Sequence, residues 1–522
     1  MKGMAETAAD PRKRTLDKDL DKLVQVEEAA SFLARGLVAP GLGLLFLALA
    51  AVFASVYVAG APGSLVIIAA AAIGAYMALN IGANDVANNV GPAVGAKALT
   101  MGGALLIAAV FETAGALIAG GDVVDTISKG IIDPAAVGDP DVFIRAMMAA
   151  LVSSALWVNL ATWIGAPVST THAVVGGVVG AGIAAAGFSS VDWSTMAGIA
   201  LSWVISPITG GVVAAACLAF IKDAIIYQDD KITAARRWVP LLLAIMSGSF
   251  AAYLATKGLG KLIHIGPAMT AVIGLAFFFA TWVLARPFIR RQSEGMENRN
   301  QSLRRLFNLP LIVSAALLSF AHGANDVANA VGPLAAIVFT AQAQAVSGEV
   351  AIPLWVMIIG ALGISLGLML FGPRLIRMVG EQITKLNPMR AFCVALSAAI
   401  TVIIASALGL PISSTHTAVG AVFGVGFFRE WYTTHSKRRR AYLERKGIRL
   451  KAEREAVGIL SDVYFNEDEA EEGEKAVSRE EIARRKLVRR AHVRTIVAAW
   501  VTTVPASAAL AAGIFVFLDL LT

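Results

Sequence analysis

Gly82-Ala83-Asn84-Asp85-Val86-Ala87-Asn88-Asn89-Val90-Gly91-Pro92 returns later in the chain as Gly323-Ala324-Asn325-Asp326-Val327-Ala328-Asn329-Ala330-Val331-Gly332-Pro333. Ten of the eleven positions are identical, and the exception sets Asn89 against Ala330. Each copy places Asn, Asp and Asn inside an apolar run of membrane-spanning length. An ionisable group at that depth is costly and marks an ion or substrate path. Helix-packing amides are the plainer alternative, but packing alone gives no reason for the same polar cluster to recur. Two near-identical copies in two halves imply one site built from both.

A second pair of stretches follows the first. Gly165-Ala166-Pro167-Val168-Ser169-Thr170-Thr171-His172 is matched by Gly409-Leu410-Pro411-Ile412-Ser413-Ser414-Thr415-His416. A third landmark, Trp203 with Pro207, is echoed by Trp500 with Pro505. The three recur in order at offsets near 241, 244 and 297 residues, the last enlarged by an insert at about 431–493. Pro is tolerated at a helix start, and Ser and Thr are natural N-caps. A half-helix beginning in either segment aims backbone N–H groups, hydroxyls and the positive end of its dipole at one spot. Two such starts facing each other would hold a tetrahedral oxyanion without burying Lys or Arg. The alternative is Ser and Thr bonding back to their own helix, which leaves the duplication after Pro and before His unexplained.

The rest of the chain sets this site in a bilayer. The 522 residues are 57% hydrophobic and 16% charged, with mean hydropathy +0.70. Such a composition describes an all-α polytopic membrane protein. The net charge of +7 is no nucleic-acid footprint, because the basic residues gather in loops between apolar spans. Cys217 and Cys393 both fall in apolar spans and read as packed thiols. Residues 1–35, with seven basic and seven acidic side chains, read as a cytoplasmic tail, not a cleavable signal.

Apolar spans are expected at 36–60 (an accessory helix outside the duplication), 64–96, 98–121, 142–165 and 194–221, with a small-residue segment to 187. A hairpin at 238–258 and 266–289 connects the halves. Spans at 308–341, 351–373, 391–409 and about 495–521 follow. The run 64–96 exceeds one straight crossing, and Gly82, Gly91 and Pro92 mark where its helix would break. Segment 122–141 reads as an acidic polar loop. Placing the basic loops 222–237, 286–305, 374–390 and 431–494 inside puts 122–141 outside and inverts the second half relative to the first. That gives 61–226 as a first inverted repeat, 227–306 as a connecting region and 307–522 as a second repeat. The expectation is about twelve core crossings plus the N-terminal helix, in a fold of inverted repeats with discontinuous helices. If the Ser/Thr segments are re-entrant hairpins, the number changes and the duplication does not.

Asp85 and Asp326 cannot lie beside an oxyanion unless a cation or proton comes between. Carboxylate and amide oxygens are ligands that hard cations take, and Asn84, Asn88, Asn325 and Asn329 supply the amides. The combination reads as anion uptake coupled to Na⁺ or H⁺, with no other cofactor. Glu112, a further intramembrane carboxylate, is a coupling-cation ligand, a proton acceptor or a partnered interior residue. His172 and His416 read as anchors of the half-helices, and Lys97 as an interfacial lysine.

These paired motifs resemble the PiT family of inorganic phosphate transporters, over roughly 64–226 and 307–522. The resemblance implies symport of phosphate with Na⁺ or H⁺, and some bacterial members of that family take metal–phosphate or sulfate. By the same resemblance Asp85, Asn88, Asp326 and Asn329, with the hydroxyls of Ser169, Thr170, Thr171, Ser413, Ser414 and Thr415, line the phosphate and cation sites. The expected partners are inorganic phosphate, a coupling cation and the lipid of the cytoplasmic membrane; a homodimer is compatible with the sequence, and nucleic acid is not expected. A sulfate symporter of the same fold is the main alternative. An intramembrane hydrolase finds only a mid-span Gly363-Ile364-Ser365-Leu366-Gly367 without strand-turn-helix context. An anion channel would need no coupling carboxylates.

Overall fold

The computed structural model describes residues 37–164, 168–258, 265–346, 352–378, 386–437 and 490–521, with 260, 263, 439, 441 and 442 between them. The tail 1–35, residues 165–167 and most of the insert 431–493 lie outside the described residues. Within them the protein is helical, and the one bridge-like contact joins Ile132 to Val191.

The first half contributes α1 (Leu37–Val58), α2 (Ser64–Asn84), α3 (Ala87–Gly95), α4 (Met101–Ala119), α5 (Gly121–Lys129), α6 (Pro140–Ile164), α7 (Thr170–Ala186) and α8 (Trp193–Ile221). Helices α9 (Lys231–Lys257) and α10 (Pro267–Gln292) form the connecting hairpin. The second half contributes α11 (Asn308–Asp326), α12 (Ala328–Ala343), α13 (Leu354–Met378), α14 (Pro388–Ala407), α15 (Ser414–His435) and α16 (Arg490–Leu521). Capping residues fix several starts: Thr100, Ser169, Asp192, Asp230, Asn387 and Ser413 each accept from the first turn of the helix they precede, satisfying donors that have no intrahelical partner. Hydrogen bonds from the Ser194 and Thr195 hydroxyls and N–H groups hold the Asp192 carboxyl down at about 2.

Among the described residues, eleven helices are long and apolar enough to cross a membrane. They include α1, so ten belong to the duplicated core and its hairpin, against about twelve expected. The difference is the two hydroxyl helices. α7 is 17 residues long, and α15 is polar at both ends, with Ser414 to Thr417 at one and Arg429 and Glu430 at the other.

The packing is reciprocal between the halves. α2 lies along α13, and α11 lies along α4. A Cβ on Gly82 would run into the Ile364 carbonyl oxygen, and a Cβ on Gly323 into that of Glu112. Likewise α7 packs on α16, where Gly176 and Gly180 abut the backbone of Val504 and Ala508. α15 packs on α8, where Gly420 and Gly424 abut Pro207 and Gly211. Small residues let membrane helices approach this closely. Each half therefore closes on the other.

Two local expectations give way. The motif helices are interrupted at Asp85–Val86 and at Val327, not at Gly82, Gly91 or Pro92. The chain keeps right-handed helical dihedrals there and only tightens, with Asn88 N–H donating to Asp85 O (3.0 Å) and Asn89 N–H to Val86 O (3.0 Å). Pro92 and Pro333 ride inside α3 and α12. Segment 122–141 is not simply a loop: Val123, Val124 and Ile127 share one face of α5, are buried and pack α5 against α12.

α1 packs on α13, with Tyr57 stacked on Trp355 at 5.8 Å between ring centroids. α9 packs on α11 through Phe250 against Phe320 at 5.0 Å. The outer faces of α1 and α10 are lined by exposed apolar side chains. Cys393 is buried and Cys217 half-buried, and both are free thiols.

Candidate functional site

The interrupted turns of α2/α3 and α11/α12 meet the N-terminal ends of α7 and α15 in the interior. Asp85, Asn325, Asp326, Asn329, Thr170, Thr171, Ser414 and Thr415 are all buried there. Thr170 Oγ1 donates to Asp85 Oδ2 at 2.6 Å, and Thr415 Oγ1 donates to Asp85 Oδ1 at 3.1 Å. Asp85 thus receives one hydroxyl from each hydroxyl helix, one per half. Those hydroxyls in turn accept from the motif asparagines: Asn329 donates to Thr170 Oγ1 and Thr171 Oγ1, both at 3.2 Å, and Asn88 donates to Thr415 Oγ1 at 2.9 Å. Asn88 and Asn329, equivalent positions, each reach the hydroxyl helix of the opposite half.

Asp326 is held differently. Ser414 Oγ donates to its Oδ2 at 3.2 Å. His322, one turn earlier on α11, has Nε2 2.9 Å from the same oxygen but off the line of a hydrogen bond. The other His322 nitrogen, Nδ1, lies 2.7 Å from Glu112 Oε2, and Glu112 Oε1 accepts from Asn89 at 2.9 Å. Glu112 is therefore a partnered residue linked through His322 to Asp326. Asp326 Oδ1 and Asn329 Oδ1 have no donor among the described residues. Asp85, His322 and Asp326 bring one ligand atom each within 4.8 Å of one another, a grouping that could hold a cation. Buried acceptors without donors are what such an ion satisfies.

The remaining predicted residues form the wall. Asn325 donates to Ser406 Oγ and Leu410 O, each at 3.0 Å, and accepts from Ile412 N–H at 3.2 Å. It thereby fixes the stretch of chain leading into α15. Asn84 does the equivalent work in the first half, its amide lying 2.8 Å from Thr162 Oγ1. Oriented to satisfy both ends, that amide donates to Asp85 Oδ1 and Val168 O. Ser169 and Ser413 are turned to their own helices as caps, accepting from the N–H of His172 and His416, both at 3.2 Å. His172 Nδ1 also meets Ser169 Oγ at 2.7 Å, the anchoring bond expected of it. Its ring stacks on Trp203 (3.8 Å) and faces His416 (4.6 Å). Trp203 donates to Pro411 O at 3.0 Å, so the third landmark supports the second.

His322 is the site residue that the sequence reading missed. Its signal was available in the i, i+4 spacing to Asp326, which puts both on one helix face. The repeat offered no help, because the equivalent of His322 is Ile81. The equivalents of Glu112 and Asn89 are Ile364 and Ala330. All three counterparts are buried and apolar, so the polar relay Asn89–Glu112–His322–Asp326 exists on one side only.

A model of the phosphate transporter family matches residues 81–511. A Helicobacter pylori strain J99 protein described as a "Putative phosphate permease" is 46% identical, over 96% of this chain and 98% of that one. A Pyrococcus abyssi protein of the same description is 39% identical over 68% of this chain and 87% of its own. A solved structure described as "The sodium-dependent phosphate transporter" is 32% identical with TM-score 0.73, covering 88% of this chain and 100% of that one.

Proposed function

This chain belongs to the phosphate transporter family, and from that premise we propose that it imports inorganic phosphate across the cytoplasmic membrane by symport with a cation, through alternating access. The family and the relatives are permeases and transporters, not enzymes. Ser365, the serine of the G-x-S-x-G-like stretch, pairs with Thr113 Oγ1 at 2.7 Å and donates to Ala109 O at 3.0 Å in mid-helix.

One observation carries the coupling. The Thr170 and Thr415 hydroxyls, which face the centre from opposite halves, both donate to Asp85. A hydroxyl has a single proton to donate. While a bare carboxylate claims it, an oxyanion cannot. A cation seated among Asp85, Asp326 and the donor-free oxygens of Asp326 and Asn329 relieves the carboxylates and cancels their repulsion of the anion. The hydroxyls and the N-terminal N–H groups of α7 and α15 then turn to phosphate. Anion and cation each improve the site for the other, which is the thermodynamic content of symport. Na⁺ is favoured by the likeness to a sodium-dependent phosphate transporter and by the oxygen-rich donor set. Phosphate is favoured over sulfate because its protonated oxygen can donate to Asp326 Oδ1, whereas sulfate has no donor.

The test is uptake of labelled phosphate into proteoliposomes under an imposed Na⁺ gradient or an imposed pH gradient, with excess sulfate as competitor. Accumulation driven by Na⁺ and resistant to sulfate is the expected result. Accumulation driven only by the pH gradient would replace Na⁺ by H⁺. Movement of sulfate without phosphate would overturn the substrate.

A further inference from the structure

The elbow between α14 and α15, from Ala407 to Ile412, is held by side chains of five other helices. Ala407 O accepts from Lys257 Nζ of α9 at 3.0 Å, and Gly409 O from Thr126 Oγ1 of α5 at 2.6 Å. Leu410 O accepts from Asn325 of α11, Pro411 O from Trp203 of α8 and Ile412 O from Thr171 Oγ1 of α7, each at 3.0 Å. The last three residues belong to the repeated motifs. Lys257 and Thr126 do not, and the central site gives them no role.

The sequence prepares the first of these bonds. A helix continuing past Ala407 would offer that carbonyl to the N–H four residues on, but the residue there is Pro411, which has none. Ala407 therefore ends α14 with an acceptor that its own helix cannot satisfy. It lies at the negative end of the helix dipole, where an ammonium is favoured. Lys257 is the last residue of α9, in the connecting hairpin. It also pairs with the carboxylate of Asp122, in the first turn of α5. The backbone of that turn lies against the elbow: a Cβ on Gly409, whose φ is +68°, would stand 3.2 Å from Asp122 O. One cation from the connecting hairpin thus ties the first half to the second.

On the premise that the chain transports phosphate, we propose that Lys257, paired with Asp122, is the latch of an outer gate. It holds the elbow of the second hydroxyl helix against α5 and must let go for phosphate to enter from outside. The central carboxylates and hydroxyls are buried, so a route to them requires a part that moves. The basic loops put α5 and the end of α9 on the outer side. From there the elbow runs to Ser414 and Thr415 with no other helix between. Its bonds also differ in kind. Asn325 and Thr171 are buried, whereas the side chains of Lys257 and Asp122 are 29% and 36% exposed. Water competes for an exposed pair, which leaves it weak enough to break and remake in each cycle. Lys257 is a positioning residue: it acts through the stretch of chain that carries Ser414 and Thr415.

The experiment uses the full chain with the native cysteines replaced and Leu410→Cys placed on the elbow. Its reaction with an impermeant maleimide is followed from outside right-side-out vesicles. Lys257→Gln should raise the labelling rate about tenfold, the shift in open population that loss of one charge-assisted hydrogen bond supports. Lys257→Arg keeps the cation and its donors and should restore the slow rate; fast labelling there would reduce the effect to local unfolding and overturn the latch. Adding Asp122→Asn to Lys257→Gln should change little, since both break one pair; a multiplied rate would mean that the two act apart, against the latch. In uptake without the Leu410→Cys probe, Lys257→Gln should lower the KM for external phosphate, because the outward-open state is more populated, and lower the maximal rate, because closure is slower. Labelling and KM equal to the parent's, with phosphate uptake intact, would overturn the latch. The labelling contrast with no phosphate uptake in any protein, the parent included, would support the gate and overturn the phosphate reading.

Discussion

Asp85 and Asp326 are the same residue in the same motif, yet their surroundings differ. Asp85 is satisfied by two hydroxyls from opposite halves, whereas Asp326 keeps one oxygen without a donor and leans on His322. The difference traces to Asn89, Glu112 and His322, each opposite an apolar residue in the other copy. We expect His322→Gln and Glu112→Gln to slow phosphate uptake about 10–100-fold, the usual cost of losing a group that orients a cation ligand. The KM for the cation should rise more than that for phosphate, measured by initial rates at varied Na⁺. Equal effects on both would reduce the relay to packing. The paired aspartates and hydroxyls were legible in the sequence because duplication singles them out. His322 was not, since a lone histidine with an isoleucine counterpart carries no repeat signal, and its role depends on α4 crossing α11 at Glu112.

At the scale of helices, backbone contact decides tolerance. Gly82→Ala and Gly323→Ala each push a methyl into a carbonyl of the facing helix, where neither backbone can retreat. Both should sharply reduce recovery of monodisperse protein on size exclusion. Gly102→Ala, with nothing within 4 Å of its Cβ, should behave as wild type, and equal recovery of all three variants would contradict the packing account. The spans and the hydroxyl-helix starts could be read from apolar runs and caps. The position of the interruption could not: Gly and Pro suggested 82, 91 and 92, but the buried carboxylate at 85, held by hydroxyls from other helices, is where the turn tightens. α5 was hidden by its charge, which lies on one face while Val123, Val124 and Ile127 occupy the other.

The whole molecule is two halves interlocked through glycine-lined crossings, with the site where the motif turns meet the hydroxyl helices. Its basic loops are expected on the cytoplasmic side. With the native cysteines replaced, Ala136→Cys, in an exposed segment, should react with an impermeant maleimide from outside right-side-out vesicles. Glu294→Cys, also exposed, should react only after permeabilisation; the opposite pattern would invert the transporter. Removing residues 1–35 should leave uptake unchanged in proteoliposomes, because that mixed-charge stretch reads as a tail outside both copies of the duplicated motifs.

The central claim is that one carboxylate from each half makes a single coupled site. The most direct measurement is accumulation of labelled phosphate by Asp85→Asn and Asp326→Asn in proteoliposomes under the gradient that drives the wild type. Both variants should lose accumulation completely, each alone sufficing, while still eluting as folded protein. Wild-type accumulation in either one would show that the halves do not share the site.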